Sequence, residues 1–327
     1  LTGSIEFNNV TNIGEGAFFF FCNGGLNLTF NNLECKTIGH SAFKSFNGTV
    51  NLYGNVYYIA DNAFYNDNNN YNFQVKANLS GITGIADNIF CNIKGGDISL
   101  EVNNVEIGQS TFSICSARIN ISGTIQSIGK KAFNSCEETI IELYNSSLIS
   151  IDNNPYLGAS TLTIYVLPTL VEQYKTKGIN AYFEALSDNQ AKTINGVKYA
   201  VRSNAAGFEV IGTEEGASFA DGIVNIIDKI YGLPVTSIRA NAFIEQEISC
   251  ILVPELRYDS IHSNAGEYAD KVFVNRGKVN IVDGHNTTLT SSDKTCYLPG
   301  DITYNRTFSE AGQYATMCLP FDLPVTN

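Results

Sequence analysis

The chain has 327 residues, 44% of them hydrophobic and only 16% charged, with 32 acidic against 20 basic residues and a net charge of −12. It is long enough for two or three domains and apolar enough for a real core. The acidic balance disfavours nucleic acid and anionic membranes, which reward clustered Lys and Arg, and no apolar stretch approaches the length of a membrane span.

Taken in chain order, short segments with apolar residues two apart recur: Ile5/Phe7, Leu28/Phe30, Val50/Leu52, Phe73/Val75, Leu100/Val102, Ile119/Ile121 and Ile141/Leu143. Period two over a few residues predicts a short strand with one buried face. After each strand, except the last, comes one phrase. It opens as Ile13-Gly14-Glu15-Gly16-Ala17-Phe18 and returns at 38–43, 59–64, 85–90, 107–112 and 128–133. Successive isoleucines are 25, 21, 26, 22 and 21 residues apart. A worn copy occupies 151–156, and a clean one returns at 238–243. Self-similarity at such a period marks a solenoid.

Each unit is then one strand, a turn, one tight helical or 3₁₀ turn carrying the phrase, and a return. A further apolar residue often stands before the phrase, as Val10, Val56, Ile82, Ile125 and Leu148 do. One unit cannot bury its own apolar side, so the strands stack in a parallel ladder about 4.8 Å apart. Ile and Phe of the phrase point inward, Gly14, Gly39, Gly108 and Gly129 suit a close approach, and Ala17, Ala42, Ala63 and Ala132 leave room for the neighbouring Phe. The Asn-rich run 66–72 reads as an exposed loop between coils, since a calcium loop needs a carboxylate-rich set at fixed spacing.

The phrase, its period and the Cys that follows in several copies (Cys22, Cys115, Cys136) resemble the BspA-like class of leucine-rich repeats over roughly residues 1–186. That class occurs mainly in surface proteins of host-associated bacteria and some protist parasites. The stretch 162–168, followed by Val171, Tyr174 and Tyr182-Phe183, is similar to the ending such arrays use. Physically it is a last strand and then an amphipathic helix that covers the open core. By resemblance, relatives are associated with adhesion to host or matrix proteins and to other bacteria.

Beyond residue 187 the repeat stops. Strands are expected near 197–201, 208–211 and 223–226, leading into the phrase at 238–243. The domains expected are a solenoid with its cap at 1–186, a β-rich segment with a short second repeat block at 187–275, and the start of a β-sandwich-like domain at 276–327. A start at Leu1 with no initiator Met or export signal, and an interrupted end, lead to the expectation of a longer, secreted or surface-displayed protein.

The eight cysteines form no C-x-x-C pair, which argues against structural zinc. Cys115 and Cys136 share one slot in consecutive coils, where small buried thiols are the favoured reading over a disulfide. His40 reads as a solvated turn residue, while His262 and His285 lie in unrelated segments without metal-ligand spacing. No nucleophile elbow, zinc helix or phosphate-cradling loop is present, so the chain is expected to be no enzyme and to need no cofactor or metal.

The better lead is the outward, concave face of the ladder. Residues between the buried pairs point away from the core: Thr29, Asn51, Gln74, Glu101, Asn120, Glu142 and Thr163, flanked by Tyr53, Lys76, Arg118 and Tyr165. That polar strip is expected to bind an extracellular protein, as solenoids do through extended surfaces. The alternative is glycan capture by the tyrosine cluster, with Tyr53, Tyr57 and Tyr58 as the platform beside Tyr65 and Tyr71. A structural stalk comes after these.

Overall fold

The structure, a computed structural model, describes residues 3–20, 25–67, 72–152, 162–203, 207–239, 242–243, 248, 250–253, 272–275, 277–282 and 300–305. The chain divides into two compact units, Leu1–Leu186 with Ser203–Ala205, and Ser187–Arg202 with Ala206–Asn327.

In the first unit the elements run β1 (Gly3–Asn8), β2 (Leu26–Ile38), β3 (Gly48–Ile59), β4 (Gln74–Ile82), β5 (Gly84–Ile85), β6 (Gly96–Ile107), β7 (Arg118–Ile128), β8 (Thr139–Leu143), β9 (Ser150–Ile151), β10 (Leu162–Val166), helix α1 (Val171–Lys175) and β11 (Tyr182–Ala185). All strands lie in one parallel sheet of order β1-β2-β3-β4-β6-β7-β8-β10-β11, with β5 on β3 and β9 on β7. The expected solenoid with its parallel ladder is therefore present.

Each full coil has more sides than the period-two pattern alone shows. Strand β2 bends at Asn31 and Asn32. Its first leg pairs Leu26–Phe30 with the opening of β3, and its second leg, from Leu33 to Ile38, pairs with the stretch from Gly54 to Ile59. The same slip recurs between Leu79 and Ile82 and between Val102 and Val105. Of the apolar residues expected between strand and phrase, Val56, Ile82 and Ile125 thus belong to a second strand leg and are fully buried, whereas Val10 and Leu148 lie outside the strands and are half-buried. Gly54 sits at that corner with φ +131°, and a Cβ there would overlap the Leu33 backbone.

The third side is the phrase. In the second coil Ala42, Lys44 and Phe46 donate their N–H groups three residues back, to Gly39, Ser41 and Phe43. The intervening N–H groups of Ser41, Phe43 and Ser45 donate instead to Asp61, Ala63 and Tyr65 of the next coil. The bonds within a coil are of the 3₁₀ type, yet no helix forms, because every second donor is spent on the neighbour. This alternation demands left-handed backbone at Ser41, Ser45, Asn62, Asn88 and Asn92 among others. Asparagine tolerates that region best after glycine, which gives the Asn-rich composition a structural reason.

Inside, Phe18, Phe43, Phe64, Phe90, Phe112 and Phe133 stack face to face, with centroids 4.9–5.3 Å apart and ring planes within 11°. Each such pair is worth roughly 0.5–1.5 kcal/mol beyond its area burial. The expected inward pairs are buried in β2–β8. The pair Ile5/Phe7 is the exception, with Ile5 exposed, because β1 is the edge of the ladder. Ile85 of the fourth phrase is also only half-buried. At the other end the order differs from the expected strand-then-helix: α1 is a short helix between β10 and β11, and β11 takes the last place in the ladder. The buried Tyr174 ring of α1 stacks on Phe183 at 4.9 Å, and its hydroxyl accepts the Ile149 N–H at 2.8 Å.

In the second unit β12 (Lys192–Ile194), β13 (Val197–Val201), β14 (Phe208–Thr213), β15 (Ile223–Asn225), β16 (Lys229–Ile230), β17 (Leu233–Ile238), β18 (Cys250–Val253), β19 (Val272–Asn275), β20 (Gly277–Val282) and β21 (Gly300–Asn305) follow. They form a mixed sheet β12-β13-β14-β17-β16, a parallel sheet β15-β18-β19 and a parallel pair β20-β21. Arg239 joins this unit together, its guanidinium bonded to both oxygens of Asp188 and to Glu209. The phrase at 238–243 repeats the turn of the array, with Ala242 donating back to Arg239 and Phe243 fully buried. The worn phrase beyond residue 152, and His262, His285, Cys22, Cys296 and Cys318, lie outside the described residues.

Three substitutions test this packing. The Thr139 hydroxyl is fully buried with no hydrogen-bond partner among the described residues. Thr139→Val should therefore raise stability by about 1–2 kcal/mol in urea titration, because it removes a desolvated orphan. Gly54→Ala should lower it by about 1–3 kcal/mol through backbone strain. Gly14→Ala, where a Cβ meets open space, should change it by less than about 0.5 kcal/mol.

Candidate binding face

Outward side chains of the first legs fall into rows, because parallel strands in register place equivalent residues side by side. One row runs Glu6, Thr29, Asn51, Lys76, Asp97, Arg118. A second runs Tyr53, Asn78, Ser99, Asn120, Ile140, Thr163, Tyr182. A third, in the later strands, runs Glu101, Ser122, Glu142, Tyr165, Glu184.

The expected strip is thus outward-facing but is not one line. Thr29, Asn51, Lys76 and Arg118 share the first row. Gln74 pairs with Thr49 and lies one row away from Asn51. Asn120, Thr163 and Tyr53 share the second row, and Glu101, Glu142 and Tyr165 the third. Taking the residues between the buried pairs Phe73/Val75 and Leu100/Val102 misplaces Gln74 and Glu101, because register sets Val75 beside Val50 and Leu100 beside Ile121. The same error hides Asn78, Ile140 and Tyr182; aligning the strands on the buried run Leu79, Leu100, Ile121, Ile141 and Ile164 would have found them.

The rows differ in chemistry. In the first, Asn51 donates to the Leu28 carbonyl at 3.1 Å and to Thr29 Oγ1 at 3.2 Å. Arg118 lies between Asp97 and Glu138, 3.9 and 3.1 Å away. These pairs are exposed, so each contributes little stability, but they neutralise the row locally. The third row is acidic. There burial first, and then Glu184 and Glu142 on either side, hold the Tyr165 phenol above its ordinary pKa. The second row carries no charge at all. Among the described residues, Asn78, Ser99, Asn120 and Thr163 make no side-chain hydrogen bond within the protein. Exposed Tyr53 and Tyr182 stand at its two ends.

The alternative platform is divided. Tyr53 belongs to the first leg of β3, whereas Tyr57 and Tyr58 lie on its second leg, beyond the Gly54 corner. All three are exposed, and the Tyr58 ring lies against Gly84 of the next coil. Tyr65 is half-buried beneath the Lys44 ammonium, 5.5 Å from the ring centroid, and Tyr71 lies outside the described residues. The run 66–72 is not wholly an exposed loop: Asn66 is fully buried and exchanges carboxamide-to-carbonyl bonds with Asn92.

Elsewhere the chemistry is quiet. Cys35, Cys91, Cys115 and Cys136 carry free thiols. Burial pushes Cys136 up to about 12 and Cys91 up to about 11, and burial raises Cys115 further still. The Cys136 thiol donates to the Phe112 carbonyl at 2.8 Å. Thiolates, the reactive form, are therefore scarce at neutral pH. Among the described residues no group of three or more His, Cys, Asp or Glu is arranged to hold a metal, and no helix is long and apolar enough to cross a membrane. His40 is exposed on its turn.

The model for a BspA type leucine rich repeat region matches residues 2–86 and 83–182, with six copies. No curated protein and no solved structure matches the chain.

The Tyr165 environment can be checked directly. Its folded pKa is raised, so the stabilisation it brings is present below the unfolded value near 10 and fades as pH rises through the folded one. Titration of ring-labelled tyrosine by NMR should place Tyr165 above the ordinary phenol value near 10, and Glu184→Gln should bring it down. An unchanged midpoint in that variant would contradict the assigned neighbours.

Proposed function

Because the chain belongs to the BspA-type leucine-rich repeat family, we propose that it is a non-catalytic, adhesin-like interaction protein, secreted or displayed at a cell surface. Its partner is an extracellular protein, engaged through the outward face of the first-leg ladder. Solenoids offer extended surfaces of this kind for binding. The observation that carries the reading is the second row. It is an uncharged line of carboxamides and hydroxyls that make no hydrogen bonds within the protein, between two rows that hold the charges.

A surface whose own groups bond one another must break those bonds to receive a ligand. The second row needs no such exchange, and Ser99, Asn120 and Thr163 are half-buried on the sheet, so little ordering is required on binding. Burial holds the described thiols Cys91, Cys115 and Cys136 in the protonated form, so they supply no ready nucleophile at neutral pH.

The test is capture of arrayed extracellular-matrix proteins. Asn78→Arg combined with Asn120→Arg should cut binding at least tenfold without shifting the melting temperature. Lys36→Glu, an exposed change on the second leg, should leave it intact. Binding that ignores the arginine pair but falls with Lys36→Glu would move the site off this face.

A further inference from the structure

We propose that what the second row contacts on its partner is a neutral, linear glycan, laid across the strands from Tyr53 to Tyr182. This rests on the reading of the outward strand face as the binding surface. It adds the chemistry of the ligand.

The first argument is charge. The rows on either side hold Lys76, Asp97 and Arg118, and Glu101, Glu142 and Glu184, whereas the row between them has none. A sulfated or carboxylated chain lying along that row would run beside the three glutamates and be repelled. A neutral chain would not be.

The second argument is hydrogen bonding. A sugar hydroxyl both donates and accepts, and so do the carboxamides of Asn78 and Asn120 and the hydroxyls of Ser99 and Thr163. These groups are unpaired within the protein among the described residues, so a hydroxyl-rich ligand would find them available. Ile140, half-buried between Asn120 and Thr163, offers an apolar patch for the C–H face of a pyranose. The exposed rings at the two ends offer the same with a polar tip.

The third argument is spacing. Seven strands in register put the row's residues one strand apart, about 4.8 Å, and its ends roughly 29 Å apart. A pyranose unit in an extended chain advances by about one strand spacing, so successive sugars can meet successive strands. An extended polypeptide rises about 3.3 Å per residue and falls out of step with that repeat.

The experiment is calorimetric titration of the whole chain with cellohexaose, chitohexaose and laminarihexaose, beside a heparin-derived hexasaccharide. A parallel arm presents each captured matrix protein before and after enzymatic deglycosylation. Asn78→Asp with Asn120→Asp is the variant, isosteric and on the surface, with its melting temperature checked; Tyr182→Ala is the second. Binding of a neutral hexasaccharide, weakened at least tenfold by the Asp pair and severalfold by Tyr182→Ala, supports the inference. Loss of matrix-protein capture on deglycosylation supports it with a glycoprotein as the source. Equal or tighter binding of the heparin fragment overturns it, as does neutral binding that ignores both variants. Capture of matrix proteins regardless of their glycans, with no hexasaccharide bound, overturns the inference and leaves the surface reading standing. Silence in every arm overturns both.

Discussion

No coil of this protein can satisfy itself. Its strand legs send their N–H and C=O groups to the coils on either side, and on the turn side every second donor leaves for the next coil. Its apolar residues likewise complete their burial only against the neighbours' residues. Unpaired buried backbone groups are costly, so stacking is an obligation for each unit rather than an added gain. The column of phenylalanines follows from that obligation, because equal spacing of backbones imposes equal spacing of the rings they carry. So does the demand for left-handed Asn and Ser on the turn side. A helix there would keep its hydrogen bonds within the coil and leave the next coil's carbonyls unserved.

The same constraint builds the outward face. Once register is fixed, side chains that differ in sequence distance come to lie side by side, and their chemistry adds along a row. Arg118 meets Asp97 and Glu138 in this way, and Tyr165 comes between Glu142 and Glu184. The uncharged row is a product of register too. Asn78, Ser99, Asn120 and Thr163 come from four coils, and what unites them in the linear sequence is only that each stands one residue before a buried Leu or Ile.

The repeat phrase was legible because Ile and Phe of each copy meet identical surroundings, which leaves one pattern at one period. The direction of the strand faces was legible for the same reason, as the burial of Val50, Leu52, Ile119 and Ile121 shows. The second strand leg was not. It is short, begins after a slip at the corner, and presents single apolar residues such as Val56 and Ile125 in place of an alternating run. Rows across coils were harder again, because a period-two pair does not say which pair of the next coil it faces; Val50/Leu52 faces Val75/Ala77, so Lys76 and not Gln74 lies beside Asn51. The burial of Asn66 had no sequence signal at all. Its surroundings are another coil's asparagine, 26 residues away.

The most direct test of the register is a distance between spin labels placed by non-natural residues at Tyr53 and Tyr182, measured by double electron–electron resonance. The seven strands from β3 to β11 in unbroken order place these positions at the ends of one row. A narrow distribution centred at roughly 25–30 Å is the predicted result. A broad distribution, or a centre displaced by two strand spacings or more, would contradict the continuous ladder and with it the row on which the functional reading stands.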